Sequence, residues 1–207
     1  SLGINNNSLI SSQKLIDNFY RENILKKKPN KFLIDAEDYL IQPKIYELSN
    51  YAIENYNTTN NKYFYKTLQM YRNDIHPIFL EDIEKYMKNN KYALKLVRGA
   101  YISSDKKYNI ILNSKKETDN QYNNILNQYF YQLTKFPNNE IIVATHNKES
   151  YKIGIDFLIK NTNHKKNVYF ATLLGMADNI CFDNNYVNKL KYVPYGPFFD
   201  TTPYLFR

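Results

Sequence analysis

The order of apolar and polar segments predicts an α/β protein of the (β/α)8 TIM-barrel type, incomplete, with about strands 3 to 8 of the barrel present. Short apolar runs alternate with longer stretches of helical periodicity, and the runs are apolar on both faces, as buried parallel strands must be. Polar residues also gather at the carboxyl ends of these runs. The chain has 207 residues and 43% hydrophobic content. We therefore expect one core and a single partial barrel domain over residues 1–207.

Six apolar runs are predicted strands: residues 31–37, 67–71, 93–100, 140–147, 168–173 and 190–194. Apolar residues at helical spacing predict intervening helices over residues 43–55, 77–89, 119–134 and 150–161, a short helix over 178–184 and a leading helix over 8–24. Pro43 and Pro77 stand where a helix can begin, because proline in the first turn removes no needed donor. Six strands against the eight of a closed barrel indicate an incomplete one.

The composition is basic and rich in tyrosine, with a net charge of +8, a pI of about 9.2, 21 Tyr and no Trp. This balance raises the alternative of a nucleic-acid-binding module, which would need lysines and aromatic rings clustered on one exposed face. The lysines are instead scattered over polar stretches, and the tyrosines fall largely in strands and helical stripes. We expect no nucleic-acid partner and attribute the bias to AT-rich codons.

Metal and disulfide chemistry have little support in the sequence. Cys181 is the one cysteine, so no intrachain disulfide and no cysteine cluster can form. Asp35 and Glu37 could share one strand face and bind Mg²⁺, but no further oxygen ligands are identifiable, and we expect no metal. His76 and His164 are expected to be solvated in polar loops. No apolar run approaches the ~20 residues of a membrane-spanning helix.

Polar residues end five of the six predicted strands: Asp35 and Glu37, Gln69 and Tyr71, Arg98 and Tyr101, Thr145 with His146 and Asn147, and Tyr192. In a barrel the active site is assembled from the carboxyl ends of several strands, whereas the opposite rim serves stability. Arg98 in an apolar strand needs a partner, either a bound anion or a carboxylate of the protein. The pattern predicts an active site at this edge without choosing the reaction.

Five blocks of sequence resemble the proline dehydrogenase family. Residues 95–101 read KLVRGAY, the most characteristic of the five. The others are IDAE at 34–37, ATHN at 144–147, LGMAD at 174–178, and YVPYGP at 192–197 leading to PYLFR at 203–207. They occur in the family's order and are spaced by whole βα units, which makes coincidence very improbable. The wording GMADN and the insertion after Tyr101 resemble the fungal mitochondrial branch.

This resemblance implies a barrel that holds FAD noncovalently and oxidises L-proline to 1-pyrroline-5-carboxylate, with hydride transfer to FAD and electrons passed on to quinone. It also implies a mitochondrial location and a peripheral contact with the inner membrane. Two alternatives stay open: another flavin-dependent or aldolase-type barrel enzyme, and an inactive fragment of one. Other barrel enzymes would be expected to have a lysine that forms a Schiff base, or a glycine-rich turn near the end of the chain that binds phosphate. Neither is evident in this sequence.

Carried over residue by residue, the resemblance implies a catalytic set of Lys95, Tyr192 and Arg207. The implied substrate pocket is Asp35, Leu173, Tyr192, Tyr204 and Arg207, with the arginine pairing with the proline carboxylate. The implied FAD contacts are Gln69, Lys95, Val97, Arg98, Ala100, Tyr101, Thr145, His146, Asn147 and Thr172.

The chain also departs from the family's pattern. The family has two adjacent arginines where this chain stops at Arg207, and the lysine of its second strand has no counterpart here. Thr172 stands where many relatives have glutamine. We expect both ends to be cut from a longer enzyme.

Overall fold

The computed structural model describes residues 6–27, 29–174 and 187–193. Within these residues six strands form one sheet in the order β1-β2-β3-β4-β5-β6, and every neighbouring pair is parallel. The strands are Phe32–Ile34, Phe64–Gln69, Ala93–Val97, Glu140–Ala144, Val168–Leu173 and Asn188–Tyr192. Because the order follows the chain without reversal, the topology is that of successive barrel units and not of a doubly wound sheet.

In the part of the chain that the structure describes, six α-helices connect or precede the strands. They are α1 Asn6–Ile24, α2 Gln42–Tyr56, α3 Ile75–Asp82, α4 Ile102–Asp105, α5 Lys115–Lys135 and α6 Lys148–Lys160. A π-helical turn, Ile83–Met87, continues α3, and 3-10 turns follow α4 and α6 at Lys106–Tyr108 and Thr162–Asn167.

The two faces of the sheet have different surroundings. One face packs against the helices in the main core, where Leu68, Leu96 and Val143 meet α5 residues such as Ile125 and Tyr129. The opposite face carries a small cluster of inward side chains: Tyr65, Ala93 and Ile142, with Ala144, Tyr169 and Ala171 against them. We call these the outer and the inner face.

The predicted strands were found, with shifted ends. Strand β5 has the predicted bounds, whereas β1, β3 and β4 end three residues earlier than predicted because their polar carboxyl-terminal residues leave the ladder. Strand β2 begins at Phe64, three residues before the predicted start. The prediction began the strand after Lys66, whereas the structure has this lysine inside the strand. This lysine is buried and pairs with Asp82 at 2.7 Å, so it does not mark a strand end.

The predicted helices are also present, except that the segment 178–184 lies outside the described residues. Helix α5 begins four residues before its predicted start, after the N-cap Ser114, whose side chain accepts from the backbone N–H of Glu117. Pro43 lies in the first turn of α2 as predicted, and α3 begins two residues before Pro77. The short helix α4 was not predicted, since four residues give no readable periodicity.

Tyrosine supplies many of the largest buried side chains of this fold. Six tyrosines are among the largest fully buried side chains: Tyr65, Tyr71, Tyr86, Tyr92, Tyr122 and Tyr129. This placement removes those rings from any exposed stacking surface of the kind a nucleic-acid module requires. In the described ranges, no helix combines the length and apolarity required to cross a membrane.

Candidate active site

Strand register places most of the predicted site residues on the inner face. Lys95 pairs with Thr67, Val97 pairs with Gln69, and Leu173 pairs with Tyr192 across neighbouring strands. Side chains alternate along a strand, so Thr67, Lys95 and Leu173 lie on the same face as Tyr65, Ala93 and Ala171, two residues before them. Tyr192 lies on that face because it pairs with Leu173. The inner face therefore carries Asp35, Gln69, Lys95, Val97, His146, Leu173 and Tyr192, each at the carboxyl end of a strand or within two residues of it.

An ion pair joins the first and third strands. The Lys95 ammonium contacts the Asp35 carboxylate, and Thr67 Oγ1 lies 3.5 Å from the same carboxylate oxygen. Lys95 is largely covered, with 12% of its side chain exposed, whereas 53% of the Asp35 side chain is exposed. Lys95 is thus held in place while the carboxylate remains accessible from the open end of the sheet.

Gln69 links two loops at the same edge. Its Nε2 donates to the Glu37 carbonyl at 2.8 Å, and its Oε1 accepts from the Ala100 backbone N–H at 3.3 Å. The side chain is 1% exposed. Gln69 thereby fixes the loop after β1 to the loop that begins Arg98-Gly99-Ala100.

Gly99 allows this loop to pass closely over Tyr71. Its φ is +115°, and a Cβ there would lie 1.9 Å from a ring carbon of Tyr71. Tyr71 donates to the buried Asp105 at 2.6 Å, and Asp105 also accepts from the Tyr39 backbone N–H at 2.9 Å. Ala100 and Tyr101 follow directly, and Tyr101 precedes α4.

Arg98 is bound from the helical side of the sheet. Its Nε donates to Asp119 at 2.5 Å, its Nη2 to Ser150 at 2.9 Å and its Nη1 to Thr145 at 2.7 Å. Of the two partners that the sequence left open for Arg98, the structure shows a protein carboxylate. Burial raises the pKa of Asp119, but hydrogen bonds from Lys115 and Arg98 outweigh burial and leave that pKa lowered.

His146 and Asn147 are ordered by backbone contacts. His146 Nε2 accepts from the Leu173 backbone N–H at 3.1 Å, so the neutral ring carries its proton on Nδ1. Burial, and then the positive charges of Lys191 and Arg98, lower the pKa of His146. Asn147 caps α6, because its Oδ1 accepts from the Ser150 backbone N–H at 3.1 Å.

The remaining predicted residues divide into three groups. Leu173 and Tyr192 lie side by side on β5 and β6. Thr172 is 4% exposed and lies on the outer face, opposite to Leu173. Tyr204 and Arg207 lie outside the described residues.

The sequence analysis did not find three of the side chains that order this edge: Asp105, Asp119 and Ser150. Each lies on a helix, and its partners near the strand ends are 21 to 66 residues away in the sequence, so no local pattern joins them. The prediction that His76 and His164 lie solvated in loops was wrong. His76 lies in α3 beside Gln128, and His164 is 3% exposed in a 3-10 turn.

Two other kinds of site, a surface groove and a metal centre, do not coincide with the predicted site residues. A groove of about 610 Å³ lies between the π-helical turn and α5, on the outer helical layer, and none of the predicted site residues line it. Across residues 6–27, 29–174 and 187–193, no three His, Cys, Asp or Glu side chains are grouped so that they could hold a metal ion.

Comparison with solved structures shows the fold. Proline utilization A from Bdellovibrio bacteriovorus, solved after inactivation by N-propargylglycine, matches with a TM-score of 0.78 and 21% identity over 96% of this chain and 22% of its own. Together with the strand order, this likeness confirms the predicted incomplete (β/α)8 barrel.

Comparison with curated proteins and family models identifies the family. The chain is 33% identical over 191 residues to proline dehydrogenase 2, mitochondrial, of Arabidopsis thaliana, covering 84% of this chain and 40% of that protein. It is 30% identical over 196 residues to proline dehydrogenase 1, mitochondrial, of Bos taurus, covering 90% of this chain and 33% of that protein. The chain thus spans two fifths or less of these relatives. The family model for proline dehydrogenase matches residues 13–207. The chain therefore belongs to the proline dehydrogenase family.

Proposed function

We propose that the protein containing this chain oxidises L-proline to 1-pyrroline-5-carboxylate in proline catabolism, using FAD and passing electrons to quinone. Membership of the family implies a flavin cofactor and proline as substrate. The observation that carries the proposal is the convergence of Asp35, Lys95, His146 and Tyr192 on the inner face at the carboxyl ends of their strands, where barrel enzymes place catalysis.

The donors at this edge suit a flavin dinucleotide. The Lys95 ammonium is a cation on the inner face, and the His146 ring presents Nδ1–H because its Nε2 already accepts. Thr145 Oγ1 accepts from both Arg98 and Asn147, which leaves its hydroxyl hydrogen to donate. Isoalloxazine, ribityl and diphosphate groups offer mainly acceptors, so the set fits. We propose Gln69, Lys95, Val97, Arg98, Ala100, Tyr101, Thr145, His146, Asn147 and Thr172 as the residues that hold FAD.

When bound, FAD supplies the redox chemistry, accepting a hydride from the ring carbon beside the proline nitrogen. The chain supplies placement and charge. Leu173 and Tyr192, neighbours on the inner face, offer an apolar wall for the pyrrolidine ring together with Tyr204. Arg207 is proposed to bind the carboxylate through its planar guanidinium, and the exposed Asp35 to belong to the polar network around the substrate nitrogen.

Location and electron acceptor are also proposals. The relatives from Arabidopsis thaliana and Bos taurus carry "mitochondrial" in their names. We propose a mitochondrial protein that makes peripheral contact with the inner membrane, where a quinone would be reached.

The test is to express the full open reading frame, purify the protein and record its visible spectrum before and after anaerobic addition of L-proline. We expect a yellow protein that L-proline bleaches and L-valine, an acyclic control of equal charge, does not. A folded but colourless protein, or a yellow one that proline leaves unchanged, would contradict the proposal.

A further inference from the structure

The guanidinium of Arg98 is oriented by side chains of two helices. Asp119 of α5 accepts from Nε, Ser150 of α6 accepts from Nη2, and the ring of Tyr122 lies 4.4 Å from Cζ. Ser150 in turn donates to Asn123 at 2.6 Å. A planar cation held along one edge and stacked on one face has little freedom to rotate.

The third nitrogen of Arg98 sets the hydroxyl of Thr145. Nη1 donates to Thr145 Oγ1 at 2.7 Å, and the Asn147 backbone N–H donates to the same oxygen at 3.0 Å. With both lone pairs engaged, the hydroxyl can act only as a donor, in the direction that remains. The orientation of Arg98 therefore decides where this donor points.

The ion pair itself is a weak source of stability. The side chains of Arg98 and Asp119 are 22% and 19% exposed, and partly exposed ion pairs typically contribute little to the free energy of unfolding. The other oxygen of the Asp119 carboxylate accepts from Lys115, whose side chain is 79% exposed. Asp119 thus has one partner that faces the strand ends and one that faces solvent.

We infer that Asp119 is a positioning residue for flavin binding: it fixes Arg98, and through Arg98 it directs the Thr145 hydroxyl toward the cofactor. Ser150 completes this clamp from α6. The inference rests on the proposed function, since it needs a flavin at the carboxyl ends of the strands.

The test compares Asp119→Ala and Asp119→Asn with the matched control Lys115→Gln, each in the full open reading frame. The apoproteins are titrated with FAD to obtain the dissociation constant, and thermal melting is recorded without flavin.

We expect Asp119→Ala to raise the FAD dissociation constant about tenfold, as the loss of a hydrogen bond to a charged group would. Asp119→Asn should have a smaller effect because its amide oxygen can still accept from Nε. Lys115→Gln should stay within about twofold of wild type. KM for L-proline at saturating FAD should not change.

Each outcome bears on the inference. An FAD dissociation constant in Asp119→Ala equal to that of Lys115→Gln would overturn it, as would a lowered melting temperature with unchanged FAD affinity. If Asp119→Ala does not fold, Asp119→Asn decides: its FAD affinity must fall below that of Lys115→Gln. A wild-type protein that binds no flavin would refute the proposed function and this inference with it, whereas a wild type that binds flavin isolates the role of Asp119.

Discussion

At the scale of single residues, Gly99 connects the most characteristic sequence block to backbone geometry. Its φ of +115° is a conformation that L side chains rarely adopt, and the ring of Tyr71 occupies the position of a Cβ. The close approach allows Ala100 to donate to Gln69. The path of the loop over Tyr71 therefore requires glycine at this position.

Replacing Gly99 with alanine should destabilise the protein by ~3 kcal/mol, because backbone strain at positive φ adds to steric overlap with Tyr71. Urea unfolding of wild type and variant measures this difference. Ser103→Ala, at an exposed position on the following helix, is the control and should change the free energy of unfolding little. A Gly99→Ala protein as stable as the control would show that the loop can take another path.

Replacing Arg207 with methionine in the full protein should weaken L-proline binding about 100-fold, because the proposed bidentate contact to the carboxylate would be lost. FAD retention should be unchanged. The measurements are the proline dissociation constant and the flavin content per chain, with Arg21→Met on α1 as the control. Equal loss of proline and flavin would contradict the role assigned to Arg207.

The residues of the site differ in how far the sequence could identify them. His146 and Tyr192 stand at the ends of apolar runs, and such positions are visible without a structure, whereas Lys95 lies inside its run and was identified by the family resemblance. Asp119 and Ser150 are 21 and 52 residues from Arg98 and lie on polar helical stretches, where they look like solvated positions. Only the packing of α5 and α6 against the sheet brings them to Arg98.

At the scale of elements, a buried ion pair joins β2 to α3. Lys66 and Asp82 are 2.7 Å apart with 2% and 3% of their side chains exposed. Lys66 also donates to Asn50 at 3.0 Å, and Asp82 accepts from Tyr92 at 2.7 Å. Burial raises the pKa of Asp82 despite the lowering effect of Lys66, so the carboxylate depends on its partners to stay charged.

Lys66→Met should destabilise the protein by ~3 kcal/mol or more, because it leaves a buried carboxylate without its cation. The double variant Lys66→Met with Asp82→Leu should lose less than the sum of the two single variants. Denaturant unfolding of the four proteins measures the coupling. Lys44→Met, which breaks the exposed pair between Lys44 and Glu47, should cost less than about 1 kcal/mol. Additive losses at Lys66 and Asp82 would mean that the pair is not coupled.

The same ion pair explains why β2 was placed three residues too late. A lysine reads as a strand boundary in sequence, because burial of a lone ammonium is costly. Its partner Asp82 lies 16 residues further on, in the helix that packs over the strand. Strand β5 carries no such charge, and its bounds were predicted correctly.

At the scale of the whole molecule, the partly buried His146 and the buried His164 couple folding to pH. Burial lowers the pKa of His146, with Lys191 and Arg98 adding to the effect, and burial with Lys166 lowers the pKa of His164. The unfolded chain therefore binds protons more readily than the folded chain near the ordinary histidine pKa of about 6.5. The stability that this difference provides is present above that pH and is lost as pH falls through the folded pKa values.

We expect the free energy of unfolding to decrease between about pH 7.5 and pH 5.5, as protonation favours the unfolded chain. His146→Gln and His164→Gln should each reduce the slope of this decrease, and the double variant should reduce it further. Urea unfolding at several pH values provides the measurement. A double variant that keeps the whole acid-side loss would assign that loss to other groups.

The sequence by itself determined the family, the parallel sheet of βα units and the strand ends that carry chemistry, because strand hydrophobicity and the order of five motif blocks are local properties of the chain. Only the tertiary structure decided which side chains share a face and which partners orient them. Alternation along each strand puts Lys95 beside Asp35 on the inner face and turns Arg98 toward Asp119. Those pairings join residues 60 and 21 positions apart, and they depend on strand register and helix packing, which no short stretch of sequence encodes.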